Sequence, residues 1–220
     1  MVILGIETSS SVCGLALSDA NEEGVKPIAQ IGLNIPNAHS EKIMTLLDAL
    51  LQNAGLDKKN IRGIAVSIGP GSFTGLRIGL STAKGLAFGL EIPVIGVPTL
   101  DVIAEKARFF ERPVVVATAS RRNEFYFCSY LNGERQIDYL VVSGEELVFR
   151  LKSGDILICD TAETLMNKIP SGVRLLDKIY SYPDSYFATV LGYKKLSGGN
   201  VDALDTLAPM YVQGFRGSKP

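Results

Sequence analysis

A single histidine (His39), three cysteines and no tryptophan leave this chain short of the side chains that most often hold metals or drive hydrolysis. One imidazole cannot make a two-histidine metal site, and no Ser/His/Asp set is legible. Cys13, Cys128 and Cys159 are odd in number, far apart and embedded in apolar runs such as Phe125-Tyr126-Phe127-Cys128, so they read as buried, reduced thiols of a cytosolic protein. A net excess of charge of either sign is also lacking. The net charge of -1 and pI near 5.9 give no global electrostatic reason to hold nucleic acid. Lys58-Lys59 and Arg121-Arg122 read as solvated turns. No apolar run approaches membrane length, and the short one over residues 2–6 has no basic flank and is followed by Glu7, so no signal peptide is expected.

What is present is apolar content of 46% over 220 residues, enough for a full core, and one long glycine-rich run. Gly69-Pro70-Gly71-Ser72-Phe73-Thr74-Gly75-Leu76-Arg77-Ile78-Gly79 follows the apolar strand at residues 64–68 and leads into a helix. Gly69 and Gly71 permit positive φ and close backbone approach, and Ser72 or Thr74 can cap the helix, leaving amides turned toward an anion. The run matches neither the dinucleotide fingerprint nor the Gly-x-x-x-x-Gly-Lys loop. Taken alone, it fits a ligand-free strand-to-helix turn equally well.

Periodicity and turn residues lay out two cycles. Strands at residues 2–6 and 13–18 form a hairpin whose turn carries Thr8, Ser9 and Ser10, and a third strand lies near 28–33. A helix at 41–54, a strand at 64–68, a helix at 74–90, a strand at 94–97 and a helix at 100–110 follow. Past Pro113 the pattern begins again, with a hairpin of residues 114–118 and 124–131, strands near 139–142 and 156–159, and helices near 145–151, 163–168 and 187–196. Two hairpin-led α/β halves, residues 1–100 and 101–220, suggest an ancient duplication.

Gly5-Ile6-Glu7-Thr8-Ser9-Ser10, Asn37-Ala38-His39-Ser40-Glu41 and the Gly-Pro-Gly-Ser-Phe-Thr-Gly-Leu-Arg run together resemble the TsaB (YeaZ) family. The likeness covers residues 1 to about 110, and later only the layout and Pro209-Met210-Tyr211. It implies an α/β protein of the actin-like ATPase (ASKHA) fold, an inactive paralogue of TsaD in threonylcarbamoyladenosine synthesis on tRNA. TsaD carries a His-x-x-x-His metal pair where this chain has His39 and Ile43, so the resemblance implies neither metal nor catalytic residues here. It further implies TsaD and TsaE as partners, tRNA met only through the complex, no membrane, a homodimer when alone, and at most weak ATP or ADP contact at Thr8, Ser9, Ser10, Gly69 and Gly71.

The helices carry the expected interface. Gly75, Gly79 and Ala83 recur as a smooth ridge, and Ile43, Met44, Leu47 and Leu51 belong to two apolar stripes where a helix covering one sheet needs one. Burial within the chain's own domain explains the same pattern. With the family resemblance, the expectation is a face offered to TsaD, with Gly79 tolerant of change in the monomer and Glu7 of little importance. The alternative is a small actin-like kinase or ATPase using Glu7 and the two turns, though Ile158-Cys159-Asp160-Thr161-Ala162 lacks the glycines of a second phosphate loop. Ser81-Thr82-Ala83-Lys84 and Lys152-Ser153-Gly154 resemble two boxes of penicillin-recognising enzymes, but the middle box is missing and Ser81 lies inside a helix.

Overall fold

Apolar residues run continuously through residues 2–6 and 64–68 and give way to a mixed pattern over residues 24–33, as in a sheet whose centre is covered on both faces and whose edge is not. In the computed structural model, which describes residues 1–35, 38–121 and 123–212, β1 (Val2–Glu7), β2 (Cys13–Asn21) and β3 (Gly24–Leu33) form an antiparallel meander. The side chains of Ala38 and His39, and all of Asn37 and Arg122, lie outside the described residues, and with them the expectations placed on His39 and Arg122. α1 (Ala38–Ala54) leads to β4 (Ile61–Gly69), α2 (Phe73–Leu90), β5 (Val94–Pro98) and α3 (Thr99–Glu105). β4 pairs parallel with β1, and β5 parallel with β4, giving the order β3-β2-β1-β4-β5.

Strand alternation sends Leu4, Ile6, Ile64 and Val66 into one core with Ile43, Leu46, Leu47, Leu50, Leu51, Leu80 and Ala83 of α1 and α2. Ile3, Ala65, Ile95 and Val97 point to the opposite face. That face is covered by the helix over residues 185–197.

The second sheet repeats the plan. β6 (Val114–Arg121) and β7 (Glu124–Leu131) form a hairpin, and β8 (Glu134–Arg135) and β9 (Leu140–Ser143) pair antiparallel with β7. After α4 (Gly144–Arg150), β10 (Ile156–Cys159) runs parallel to β6 and β11 (Arg174–Leu175) parallel to β10. Each half is thus a hairpin with antiparallel pairing on one side and parallel strands on the other, the arrangement the two-cycle layout predicts. Val115, Ala117, Phe127, Leu147, Leu157 and Leu165 fill the core of the second sheet.

The division at residue 100 needs correction. The first unit comprises Met1–Val102 together with Pro183–Met210, and the second is built on Ile103–Tyr182. The cause is α5 (Ser185–Ser197), whose small buried residues Ala188, Thr189 and Gly192 lie flat on β1 and β4. A Cβ at Gly192 would fall 2.4 Å from that of Ala65, and one at Gly5 2.2 Å from the Ser185 carbonyl oxygen. Without α5, Ile3, Ala65 and Ile95 would face water, so burial draws the segment back to the first sheet. Two helices are also shorter than expected: α3 stops at Glu105, and residues 162–168 form two short 3₁₀ turns.

Beyond α5 the chain runs as a strap. Asp202 bridges to Val94 and takes the Gly96 amide on Oδ2 at 2.8 Å, Leu207 enters the core, and the Met210 amide donates to the Ile68 carbonyl at 2.7 Å. The strap therefore ends on the glycine turn.

Candidate functional site

β1 and β4 both finish at the edge where α2 and α5 begin, so the side chains at their ends converge there. Glu7 closes β1 and is completely buried. Its Oε1 accepts from the Ser9 amide at 2.6 Å and from the Ser9 hydroxyl at 2.5 Å, and its Oε2 accepts from the Ser67 hydroxyl. Ser67 is the polar exception in the apolar run of β4, which is the sequence signal that could have marked it. Asp184, the N-cap of α5, accepts from the Tyr186 amide and from Gln30 Nε2, both at 2.8 Å. Burial raises the Glu7 carboxyl above its ordinary range; the Ser67 and Ser9 hydrogen bonds oppose this, and the Asp184 charge adds to it. Burial, and after it the Glu7 charge, pushes the Cys13 thiol up to about 11, and burial raises Cys159 to about 11, so both stay protonated at neutral pH.

A titration follows from this cluster. With its pKa raised in the folded state, Glu7 binds its proton more tightly folded than unfolded. Its contribution to stability is complete below the ordinary carboxyl pKa and is lost as pH rises through the native value. Denaturant titrations across a pH series should therefore show wild type losing stability relative to Glu7→Gln over that rise. Parallel curves would mean that Glu7 ionises as easily folded as unfolded.

The hydroxyl turn faces inward. Thr8 and Ser9 are buried, the Ser9 hydroxyl is committed to Glu7, and Thr8 Oγ1, where it abuts α2, has no hydrogen-bond partner among the described residues. Ser10 stays partly exposed, with Oγ accepting the Val12 amide at 3.2 Å. The turn is seated on α2 through glycines. A Cβ at Gly71 would lie 2.3 Å from the Ser9 carbonyl oxygen, one at Gly75 1.9 Å from that of Thr8, and one at Gly79 2.1 Å from Thr8 Oγ1. The Ser72 amide donates to the Ser9 carbonyl at 2.7 Å, while its side chain caps α2 by accepting from Gly75. Gly69 has φ +112°, and its Cβ position lies 2.9 Å from the Met210 carbonyl oxygen, so only glycine fits beneath the strap. Of the five residues expected to contact nucleotide, Ser10 and Gly71 reach the surface, whereas Thr8, Ser9 and Gly69 are enclosed.

The expected partner face is corrected in the same way. Gly75, Gly79 and Ala83 form the inner face of α2, against Thr8 and the core, and Ile43, Leu47 and Leu51 form the inner face of α1. On α2 the reason is the close seat of Thr8, which leaves no room for a Cβ at Gly75 or Gly79; Ala83 and the α1 stripe are drawn inward by burial in the shared core. Of the seven, only Met44 is exposed, at 43%.

The outer face of α2 tells a different story. Phe73 and Phe88 are 53% and 79% exposed, and the Arg77 guanidinium lies 3.8 Å above the Phe73 ring. Gly85 and Gly89 are exposed, and a Cβ added at either would meet nothing within 4 Å. Glycine inside a helix costs about 1 kcal/mol relative to alanine, and nothing among the described residues requires it at these two positions.

At the corresponding edge of the second sheet, both carboxylate oxygens of Asp160 accept the Ala119 amide, at 3.0 and 3.1 Å. Burial raises the Asp160 carboxyl while these bonds lower it. An internal anion thus occupies the amide that a second phosphate-binding turn would offer. Ser81 sits exposed in mid-α2, and Lys152 belongs to a turn closed by its amide donating to Asp155. Among the described residues no three His, Cys, Asp or Glu side chains group as metal ligands, and no helix is long and apolar enough to cross a membrane.

Comparison with known proteins gives consistent results. The sequence profile of the family described as TsaD, tRNA N6-adenosine threonylcarbamoyltransferase, matches residues 24–148, more than half of the chain. The tRNA threonylcarbamoyladenosine biosynthesis protein TsaB of Haemophilus influenzae is 33% identical over 142 residues, 63% of this chain and 58% of that protein. TsaB of Buchnera aphidicola from Schizaphis graminum is 28% identical over 194 residues, 84% of this chain and 89% of that protein. The chain therefore spans less than two thirds of the Haemophilus relative. The solved structure of YeaZ from Pseudomonas aeruginosa superposes with a TM-score of 0.80 at 23% identity, over 96% of this chain and 99% of that one, so the two share a fold.

Proposed function

This chain belongs to the TsaD-type family, in its TsaB (YeaZ) branch, and from that premise we propose that it is a noncatalytic subunit of the bacterial tRNA threonylcarbamoyladenosine synthesis machinery. In this reading it binds TsaD in the cytoplasm and supports transfer of the threonylcarbamoyl group to the adenosine beside the anticodon. TsaE joins the pair, and tRNA is met through the complex. Alone, the chain pairs with a second copy through the face otherwise given to TsaD.

The observation that carries the proposal is the outer face of α2, where Gly85 and Gly89 stand open near Phe88, with Phe73 exposed at the start of the same helix. Glycines without an internal reason, next to exposed rings, suit close approach by another helix. The absence of chemistry is supported by how the carboxylates are used: Glu7 is taken up by Ser9 and Ser67, and Asp160 by the Ala119 amide. The chain needs no metal or cofactor of its own. Weak ATP or ADP contact is confined to Ser10 and the Gly71 backbone at the rim of the turn.

Mixing the purified chain with TsaD should give a 1:1 complex by sedimentation, and the chain alone should not turn over ATP. No complex, or ATP hydrolysis by the isolated chain, would favour the small kinase or ATPase instead.

A further inference from the structure

We propose that Glu7 is a positioning residue: as a buried hydrogen-bonding junction between Ser9 and Ser67, it fixes the β1–β2 turn and thereby the seat of the docking helix α2. This inference rests on the reading of α2 as the TsaD-binding element and assigns Glu7 no chemistry.

The junction ties three elements together. Through Oε1 it holds the amide and the hydroxyl of Ser9 in the turn, and through Oε2 it receives the hydroxyl of Ser67 on β4. The turn, so held, packs directly on the first half of α2. The Ser9 carbonyl accepts the Ser72 amide at 2.7 Å, and the Thr8 carbonyl and hydroxyl occupy the space left by Gly75 and Gly79. Phe73 and Arg77 ride on the opposite side of those same turns of helix. A shift of Thr8 is therefore transmitted directly to Phe73 and Arg77.

The charged groups facing Glu7 are few. Asp184 approaches from α5, Cys13 lies on β2, and the contacts from β4 and the turn are hydroxyls and one amide. No cation on the described residues pairs with it. What the network asks of position 7 is shape and hydrogen bonding, not charge. A glutamine meets that demand, since its carbonyl oxygen can accept from Ser9 and its amide nitrogen can donate to a reoriented Ser67 hydroxyl. An alanine leaves the Ser9 amide and two hydroxyls buried without partners.

The test uses the full chain with TsaD, at a temperature where circular dichroism shows every variant folded. Wild type is titrated first; if it fails to bind TsaD, the functional reading itself falls. Given wild-type binding, Glu7→Ala and Ser9→Ala should each weaken affinity about tenfold or more, whereas Glu7→Gln should stay within about threefold and restore tRNA modification in a depleted strain. Glu7→Gln as defective as Glu7→Ala, both folded, would assign Glu7 a charge-dependent role in ligand or chemistry and overturn the proposal. Folded Glu7→Ala with wild-type affinity would overturn it too, by separating the turn from the docking helix. If Glu7→Ala cannot be obtained folded, Ser67→Ala carries the same comparison.

Discussion

Gly85→Leu and Gly89→Leu should each lower affinity for TsaD at least a hundredfold while leaving the isolated chain as stable as wild type or more so. The two effects have separate causes. Both positions are exposed, and an added Cβ meets nothing within 4 Å, so a leucine costs nothing inside the chain and replaces the least helix-favouring of the ordinary residues. Gly85→Ala alone should add about 1 kcal/mol of stability. Across an interface of about 800 Å² per side, a leucine on the line of closest approach instead forces two helices apart and breaks contacts around Phe88. A hundredfold loss corresponds to about 3 kcal/mol. Thermal melts and binding isotherms on the same preparations read both quantities. Unchanged affinity in both leucine variants would remove the outer face of α2 from the interface.

Ten residues earlier in the same helix, the same chemical change should have the opposite sign. Gly75→Ala places a methyl group 1.9 Å from the Thr8 backbone carbonyl oxygen, which is held by the turn and cannot swing aside as a side chain would. The overlap needs movement of the turn or of α2, and overpacking of this kind costs about 3 kcal/mol or more. For a chain of this size that amounts to a fall in Tm of about 10 °C. Gly79→Leu should behave alike, whereas Gly79→Ala should be milder, because its nearest neighbour is the rotatable Thr8 hydroxyl at 2.1 Å. Comparing the melting points of Gly75→Ala and Gly85→Ala measures the inside and outside of one helix. Equal shifts would show that α2 is rotated from the orientation described.

Much of the architecture is legible from residues. A hydroxyl-rich turn marks the first hairpin, the polar run at residues 120–123 the second and a glycine-rich turn the start of α2, and the strand-helix rhythm carries the two-sheet plan. The absence of a second imidazole is a fact of composition that no fold can alter. The ends of the second half were less legible. α5 lies far from β1 in sequence, and nothing local in its residues says that Ala188 and Gly192 pack on Ala65 and its neighbours in the first sheet.

The two roles that matter most for function were decided only in three dimensions. α2 carries two sets of small residues, Gly75, Gly79 and Ala83 on one face and Gly85 and Gly89 on another, and helical periodicity describes both equally well. Which set turns inward depends on where the Thr8 carbonyl sits, and that depends on the pairing of β1 with β4 and on the Glu7 junction. Glu7 itself reads in the sequence as an acid beside a turn. Whether such a group meets water, a ligand or its own serines is set by burial, because a carboxyl without solvent takes the hydrogen bonds that packing brings to it. The order of residues determined the sheets, the turns and the missing metal ligands; long-range packing chose the faces, since the free energy of burial is summed over neighbours that sequence spacing does not identify.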